Sequence, residues 1–461
     1  MKYISTRDNS KEYSFEDVFI KGLADEGGLF IPKTIKKYNN AELSALEKLS
    51  YKDLAKKIIL PFIGDFMSEK ELSNIVDKSY STFRKDEAVN LIKVDDVTVL
   101  ELFHGPTLAF KDIAMQLLGN FYEYYLSKNN KNINVIVATS GDTGAAAIDA
   151  IKGKKNMNIF ILHPNNKVSV VQRKLMSTVK EKNVFNIAIE GNFDDCQNLV
   201  KAMFADKEFS NSINMSGVNS INWARIIAQT VYYFYTYFLL KKKNLINFSV
   251  PTGNFGDVYA GYLSKKMGLP INKLIVATNQ NDILHRAISK GKYEMETVSE
   301  TISPSMDIQI ASNFERLIYD LNNFDDVKTK NIMNKISKEG KYIIPKDNLE
   351  KINKDFLSDS IDEKEILNII KEVHLKHGVL LDPHTAIAFG AMKKFDLEGS
   401  NVVLATAHPC KFPDAINQSI NIKPKLPEEL MYIMDEKENY DIISNNLNKT
   451  KEYIKEKIRW N

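Results

Sequence analysis

From about residue 96 onward the chain repeats one pattern, a short apolar run rich in β-branched residues followed by a helical segment. The runs are "NVIVA" (134–138), "NIFIL" (158–162), "VFNIAI" (184–189), "INFSV" (246–250), "LIVAT" (274–278) and "NVVLAT" (401–406). A strand apolar on both faces has to be covered on both faces, and helices between successive strands supply that cover in a parallel sheet. The pattern predicts an α/β fold of parallel sheets flanked by helices. Ligands then bind beyond the carboxyl ends of the strands, so the strand-to-helix loops are where chemistry is to be sought.

Charge and composition remove several other classes. Sixty-two basic residues stand against fifty-nine acidic ones, a formal charge of +3, so no broad field marks a nucleic acid or an anionic membrane as partner. The opening "YISTRDNSKEYSFEDV" lacks the apolar core of a signal peptide, and a cytoplasmic protein is expected. The most apolar run, "VYYFYTYFLL" at 231–240, is shorter than the roughly 20 residues a bilayer requires and predicts a buried helix. Cys196 and Cys410 lie far apart and outside any CxxC, which suggests two inert thiols and no metal site.

Four loops stand out. In "VIVATSGDTGAAAIDAI" a strand leads through Thr139, Ser140, Gly141, Asp142 and Thr143 into an alanine-rich helix; its free amides and hydroxyls form either an anion cradle or a plain helix cap. In "FSVPTGNFGDVYAGYL" the residues Thr252, Gly253, Asn254, Phe255 and Gly256 form either a phosphate loop or a tight turn, and match neither common nucleotide signature. "VNSINWARIIAQT" places Ser220, Asn222 and Arg225 at a helix start, where the arginine is either a bidentate phosphate ligand or a surface ion-pair partner. "VVLATAHPCKFPDAI" delivers Thr406 and His408 into a loop, His408 being either structural or catalytic.

A fifth stretch, "LFHGPTLAFKDIAMQLLG", puts Lys111 in the first turn of a helix, where the positive end of the helix dipole disfavours a cation. Such a lysine is either solvated or wanted as a neutral amine, the state a Schiff-base nucleophile requires. A reactive lysine, a glycine loop, a hydroxyl-rich helix start and a separate arginine together fit pyridoxal phosphate chemistry on a phosphorylated amino acid.

These residues resemble a known family. "EGGLFIP", "LFHGPTLAFKD", "SGDTGAAA", "VNSINWAR", "PTGNFGDVYAGY", "SPSMDI", "SNFERL", "DPHTAIA" and "ATAHPCKFP" occur in the order seen in the longer microbial and fungal threonine synthases, and the likeness spans about residues 1–416. The resemblance implies a fold type II pyridoxal 5'-phosphate enzyme, similar to the tryptophan synthase β chain. Its reaction would convert O-phospho-L-homoserine and water to L-threonine and phosphate, without any metal, in a monomer or homodimer.

Position by position, Lys111 matches the Schiff-base lysine, and Gly253, Asn254, Phe255 and Gly256, with Asp257 beside them, match the loop around the cofactor phosphate. Thr139, Ser140 and Thr143 resemble the grip on the substrate carboxylate, with Asp142 near the cofactor ring oxygen. Ser220, Asn222 and Arg225 resemble the substrate-phosphate site, to which Lys167 adds charge, and Thr406 resembles the hydroxyl partner of the pyridine nitrogen. Many fold type II enzymes carry asparagine where this chain has Asp142, and an acid there repels a phenolate oxygen unless a proton is shared or the side chain turns away.

The organisation that follows is an N-terminal supporting domain (1–95), a smaller cofactor- and substrate-binding α/β region (96–245), a larger cofactor-binding α/β region (246–415) with a solvated helical insertion near 320–378, and a C-terminal helical appendage (416–461). Three rival readings use the same residues differently. They are a lyase forming a keto acid from O-phosphothreonine, a non-catalytic ligand-binding homologue, and a hydrolase built on His104, Asp112 and a serine.

Overall fold

The computed structural model describes residues 1–240 and 245–458. Its larger sheet has the spatial order Phe356–Ser360, Ile271–Thr278, Ile246–Pro251, Ser400–Ala405, Val97–Glu101, Asn90–Val94, parallel throughout except for the last pair, which is a hairpin. The smaller sheet runs Asp441–Ser444, Val184–Glu190, Met157–Pro164, Ile133–Ala138, Met215–Ser216, all parallel. Every strand expected from an apolar run is present.

Successive residues of each central strand point to different cores, as the period of two demands. Val135 and Val137 face a large cluster shared with the bigger sheet, whereas Ile136 faces a separate cluster beneath the helices Phe193–Ala205 and Leu447–Lys457. Val276 and Val402 likewise face the shared core, while Ile275 and Val403 pack under the helices Glu363–His377 and Pro383–Lys393. The shared core is filled by the helices Lys111–Asn129 and Trp223–Leu239 and by the N-terminal helices Tyr51–Ile63 and Glu69–Tyr80. The aromatic run at 231–240 lies almost wholly in the helix ending at Leu239, and no described helix is long and apolar enough to cross a membrane.

Several strands differ from the sequence expectation, among them Lys341–Ile343 inside the segment 320–378. The segment 320–378, read as helical and solvated, holds the helices Asp326–Glu339, Lys346–Asp355 and Glu363–His377 but also the edge strand Phe356–Ser360. Of its residues "FLSDS" only Phe356 is buried, because an edge strand bonded on one side leaves the rest half in solvent and writes no apolar run. The C-terminal appendage, read as helical, contributes Asp441–Ser444 to the other sheet for the same reason, with Asp441 and Ile442 exposed. Asn90–Val94 pairs with Val97–Glu101, so the chain on both sides of residue 95 enters the larger sheet.

One contact fixes how the site-bearing helices approach. A Cβ built on Gly119 would lie 2.3 Å from the carbonyl oxygen of Ala150, so the helices Lys111–Asn129 and Asp142–Ile151 touch backbone to backbone there. Gly119→Ala is expected to force them apart and lower stability by about 1–3 kcal/mol, the usual effect of overpacking, as checked by chemical denaturation.

Candidate active site

The carboxyl ends of both sheets face one cavity of about 520 Å³. Its lining includes Lys111, Asp142, Thr143, Ser220, Arg225, Thr406 and the run Gly253 to Asp257, which brings together most of the residues singled out from sequence.

The loop before Lys111 is stapled to the strand that ends at Ala405. Phe110 N donates to Thr406 O at 2.8 Å, His408 N donates to Leu108 O at 3.0 Å, and Ala109 bridges Ala407. Inside that loop the buried Asp112 carboxylate accepts from Thr107 N at 2.8 Å and from the Thr107 hydroxyl at 2.6 Å. A Cβ on Gly105 would sit 2.4 Å from that of Asp112, so the loop can wind round the carboxylate only with glycine there. Lys111 thus enters the cavity from a braced turn.

Its amine approaches Asp142 Oδ2 at 3.5 Å and Ser305 Oγ at 3.4 Å. Burial, opposed by Asp142 and reinforced by Lys411 and Arg225, pushes the amine below the ordinary lysine range. Asp142 itself belongs chiefly to another partner: Lys411 Nζ lies 2.6 Å from Oδ1, and Gln172 Nε2 donates to the same oxygen at 2.8 Å. Although burial opposes ionisation, Lys411, Lys111 and Gln172 together hold the carboxyl well below the usual carboxylate range. Gln172 reaches it across Gly141, where a Cβ would meet the amide carbon at 2.7 Å.

The glycine loop turns sharply at Phe255, with φ +69°, into the helix Gly256–Lys266. A Cβ on Gly253 would lie 2.8 Å from Ser305 O, and Asn254 Nδ2 donates to Ser220 Oγ at 2.7 Å. Asp257 accepts from the hydroxyls of Tyr232 and Tyr233, yet its Oδ2 has no partner among the described residues, and burial pushes its carboxyl up to about 6. Arg225 is 5% exposed with its Nε unpartnered among the described residues, and burial lowers its guanidinium to about 10. A buried cation with no ion-pair partner among the described residues, lining the same cavity as a loop of backbone amides, is fitted to receive an anion. The free amine, the close-approach glycines and that guanidinium fit pyridoxal phosphate together with a second phosphorylated group.

Residues 88–345 match the family described as pyridoxal-phosphate dependent enzyme, residues 2–80 the threonine synthase N terminus, and residues 385–454 the threonine synthase C-terminal family. A threonine synthase of Pseudomonas aeruginosa is 42% identical over 98% of both chains, and that of Saccharomyces cerevisiae is 44% identical over 93% of this chain and 92% of its own. The solved structure of the pyridoxal phosphate-bound threonine synthase from Brucella melitensis superposes with a TM-score of 0.97 at 44% identity, covering 100% of both chains. The chain belongs to the threonine synthase family.

Within this threonine synthase frame, some residues expected in the site stand aside from the cavity lining. Thr139 Oγ1 accepts from the amides of Gly141 (3.0 Å) and Gly144 (2.9 Å), which makes it the brace of the helix start. Asn222 caps the helix Trp223–Leu239, accepting from Ala224 N at 3.0 Å and donating to Phe19 O at 2.9 Å, so both ends of its amide are engaged. Ser140 is half-buried outside the lining, and Lys167 is exposed on the loop after Pro164. Lys201, from the helix Phe193–Ala205, lines the cavity instead. His408 accepts from Cys410 N at 3.2 Å, and burial lowers it to about 4, which supports the structural reading of that histidine. Both cysteines are free and buried, each thiol pushed up to about 12.

The residues that sequence reasoning missed include Lys201, Lys411, Gln172, Ser305 and His384. Lys411, Ser305 and His384 lie inside "ATAHPCKFP", "SPSMDI" and "DPHTAIA", so the available signal was their place in blocks that carry the family resemblance. His384 lines the cavity with Nδ1 2.9 Å from Asp382 Oδ1 and Nε2 unpartnered among the described residues.

Two outcomes follow from the buried charges. Arg225→Met is expected to stabilise the ligand-free protein by about 1 kcal/mol or more, since an unpaired buried cation is replaced by an apolar chain, and to abolish any stabilisation by inorganic phosphate; denaturation with and without phosphate checks both. For Asp257 the folded pKa lies above the ordinary 3.8, so the folded state holds the extra proton between pH 4 and 6 and stability falls as pH rises through that window. About two pH units correspond to roughly 3 kcal/mol. Asp257→Asn is expected to flatten that part of the stability-pH curve, measured as the unfolding midpoint from pH 4 to 7.

Proposed function

We propose that this threonine synthase family member converts O-phospho-L-homoserine and water to L-threonine and phosphate, with pyridoxal 5'-phosphate held by Lys111, the amides of Gly253 to Gly256, and Thr406. The observation that carries the reading is the buried Arg225, whose Nε is unpartnered among the described residues, in the same cavity as a buried lysine amine.

The cofactor, when bound, supplies an electron sink for charge developing at the substrate's carbon atoms. Lys111 does the proton work. Its amine is depressed by burial and held in a braced turn, so it can take a proton from Cα and then one from Cβ, deliver one to Cγ as the phosphate leaves and return one to Cα without leaving the cavity. Arg225, with Ser220 beside it and Lys201 at the same wall, binds the phosphate that departs from Cγ, and water enters at Cβ. Thr143 and the free amides at the start of the helix Asp142–Ile151 orient the substrate carboxylate. The Thr406 hydroxyl, next to the backbone that staples the Lys111 loop, would supply a neutral partner to the ring nitrogen of the bound cofactor.

Specificity resides in the arginine. A buried guanidinium left without its dianion is strongly unfavourable, so homoserine is expected to react roughly a thousandfold more slowly, or worse, than its phosphate ester. Purified protein given O-phospho-L-homoserine should release phosphate and threonine in equal amounts, and Lys111→Ala should abolish both. Phosphate with 2-oxobutyrate and little threonine would assign a lyase instead.

A further inference from the structure

Three charged side chains face Lys111: Asp142 at the start of its helix, Lys411 from the turn after Ala407, and Arg225 from the first turn of the helix Trp223–Leu239. Ser305, at 3.4 Å, is neutral. One carboxylate therefore stands among three cations, and its contacts are unequal. Lys411 Nζ is 2.6 Å from Asp142, Lys111 Nζ 3.5 Å. Lys411 is fully buried, and a second bond at 2.8 Å to Thr107 O fixes its ammonium. Thr107 in turn clasps Asp112, the residue next to Lys111, so Lys411 and Lys111 are anchored to one turn.

We propose that Lys411 is a positioning residue for Lys111: by taking Asp142 as its own counter-ion, it keeps that carboxylate from locking Lys111 into an ion pair and leaves Lys111 a reactive amine. The same pair answers the difficulty of an acid beside the cofactor ring oxygen. Asp142 with Lys411 is a net-neutral unit, so a cofactor ring oxygen held beside it would meet a screened carboxylate rather than a bare one. The inference rests on Lys111 being the residue that carries the cofactor.

The sign of each substitution is fixed by charge. Removing Lys411 leaves Asp142 to Lys111 alone and favours the protonated amine; removing the charge of Asp142 leaves Lys411 and Arg225 and disfavours it; removing both restores a balance close to the native one. The experiment is acetylation of Lys111 at pH 8, followed by peptide mass spectrometry, on full-length protein stripped of cofactor. Wild type, Lys411→Met, Asp142→Asn and the Asp142→Asn/Lys411→Met double variant are compared, each verified as folded by circular dichroism. Lys411→Met is expected to label about tenfold more slowly than wild type, equivalent to one pH unit. Asp142→Asn should label as fast or faster, and the double variant within about threefold of wild type. Should Lys411→Met fail to fold, the double variant must label more slowly than Asp142→Asn. Equal rates in all folded variants, or faster labelling on loss of Lys411, would overturn the proposal. Uptake of pyridoxal phosphate by the wild type, read from its absorbance, is measured in parallel; no uptake would overturn the role given to Lys111 separately from the labelling order.

Discussion

The ion pair between Asp142 and Lys411 joins the two halves of the molecule at the point where chemistry is to happen. Asp142 opens a helix on the smaller sheet, whereas Lys411 follows the last strand of the larger one, and both are withdrawn from solvent. Two buried charges at 2.6 Å are tolerated because each has further partners, Gln172 for the carboxylate and Thr107 O for the ammonium. Removing either would strand the other in the core. The pair thus fixes the relation of the two sheets and the electrostatic setting of Lys111 together.

Around that pair the site is built with an excess of positive charge. Among the described residues Lys111 shares Asp142 with Lys411 and Arg225 has an unpartnered Nε, so ligand anions would balance the excess. This division suits an enzyme that must hold one phosphate throughout a turnover and release another. The loop from Gly253 to Gly256, the proposed cofactor-phosphate loop, offers fixed backbone amides, with Gly253 closely approached by Ser305 O and Asn254 bonded to Ser220. The deeply buried Arg225, proposed for the substrate side, would be more sensitive to whether an anion is there.

Most of the fold was legible because its central strands are apolar on both faces, which leaves a long, unbroken signature such as "NVIVA" or "LIVAT". Phe356–Ser360 and Asp441–Ser444 were not legible. They are edge strands, paired on one side, and their composition resembles that of a polar loop. Site residues divided in a similar way. Lys111, Arg225 and the Gly253 to Gly256 loop each allowed a plain structural reading on their own, and it was their combination that pointed to a ligand site; they meet in one cavity. Thr139 and Asn222 belong to the same stretches but face the backbone, because the first free amides of a helix compete for any nearby side-chain oxygen.

The sequence by itself determined the class of fold, the loops that carry the site and the family resemblance, since each is written in residue type and spacing along the chain. It also placed Lys111 at a helix start, where a cation is disfavoured. Only the tertiary structure decided which charges meet. Lys411 lies 269 positions after Asp142 (411 minus 142), and nothing local to either residue names the other. Whether a lysine is solvated, paired or left as a free amine depends on the dielectric and the counter-ions around it, and those are set by segments brought together from across the whole chain.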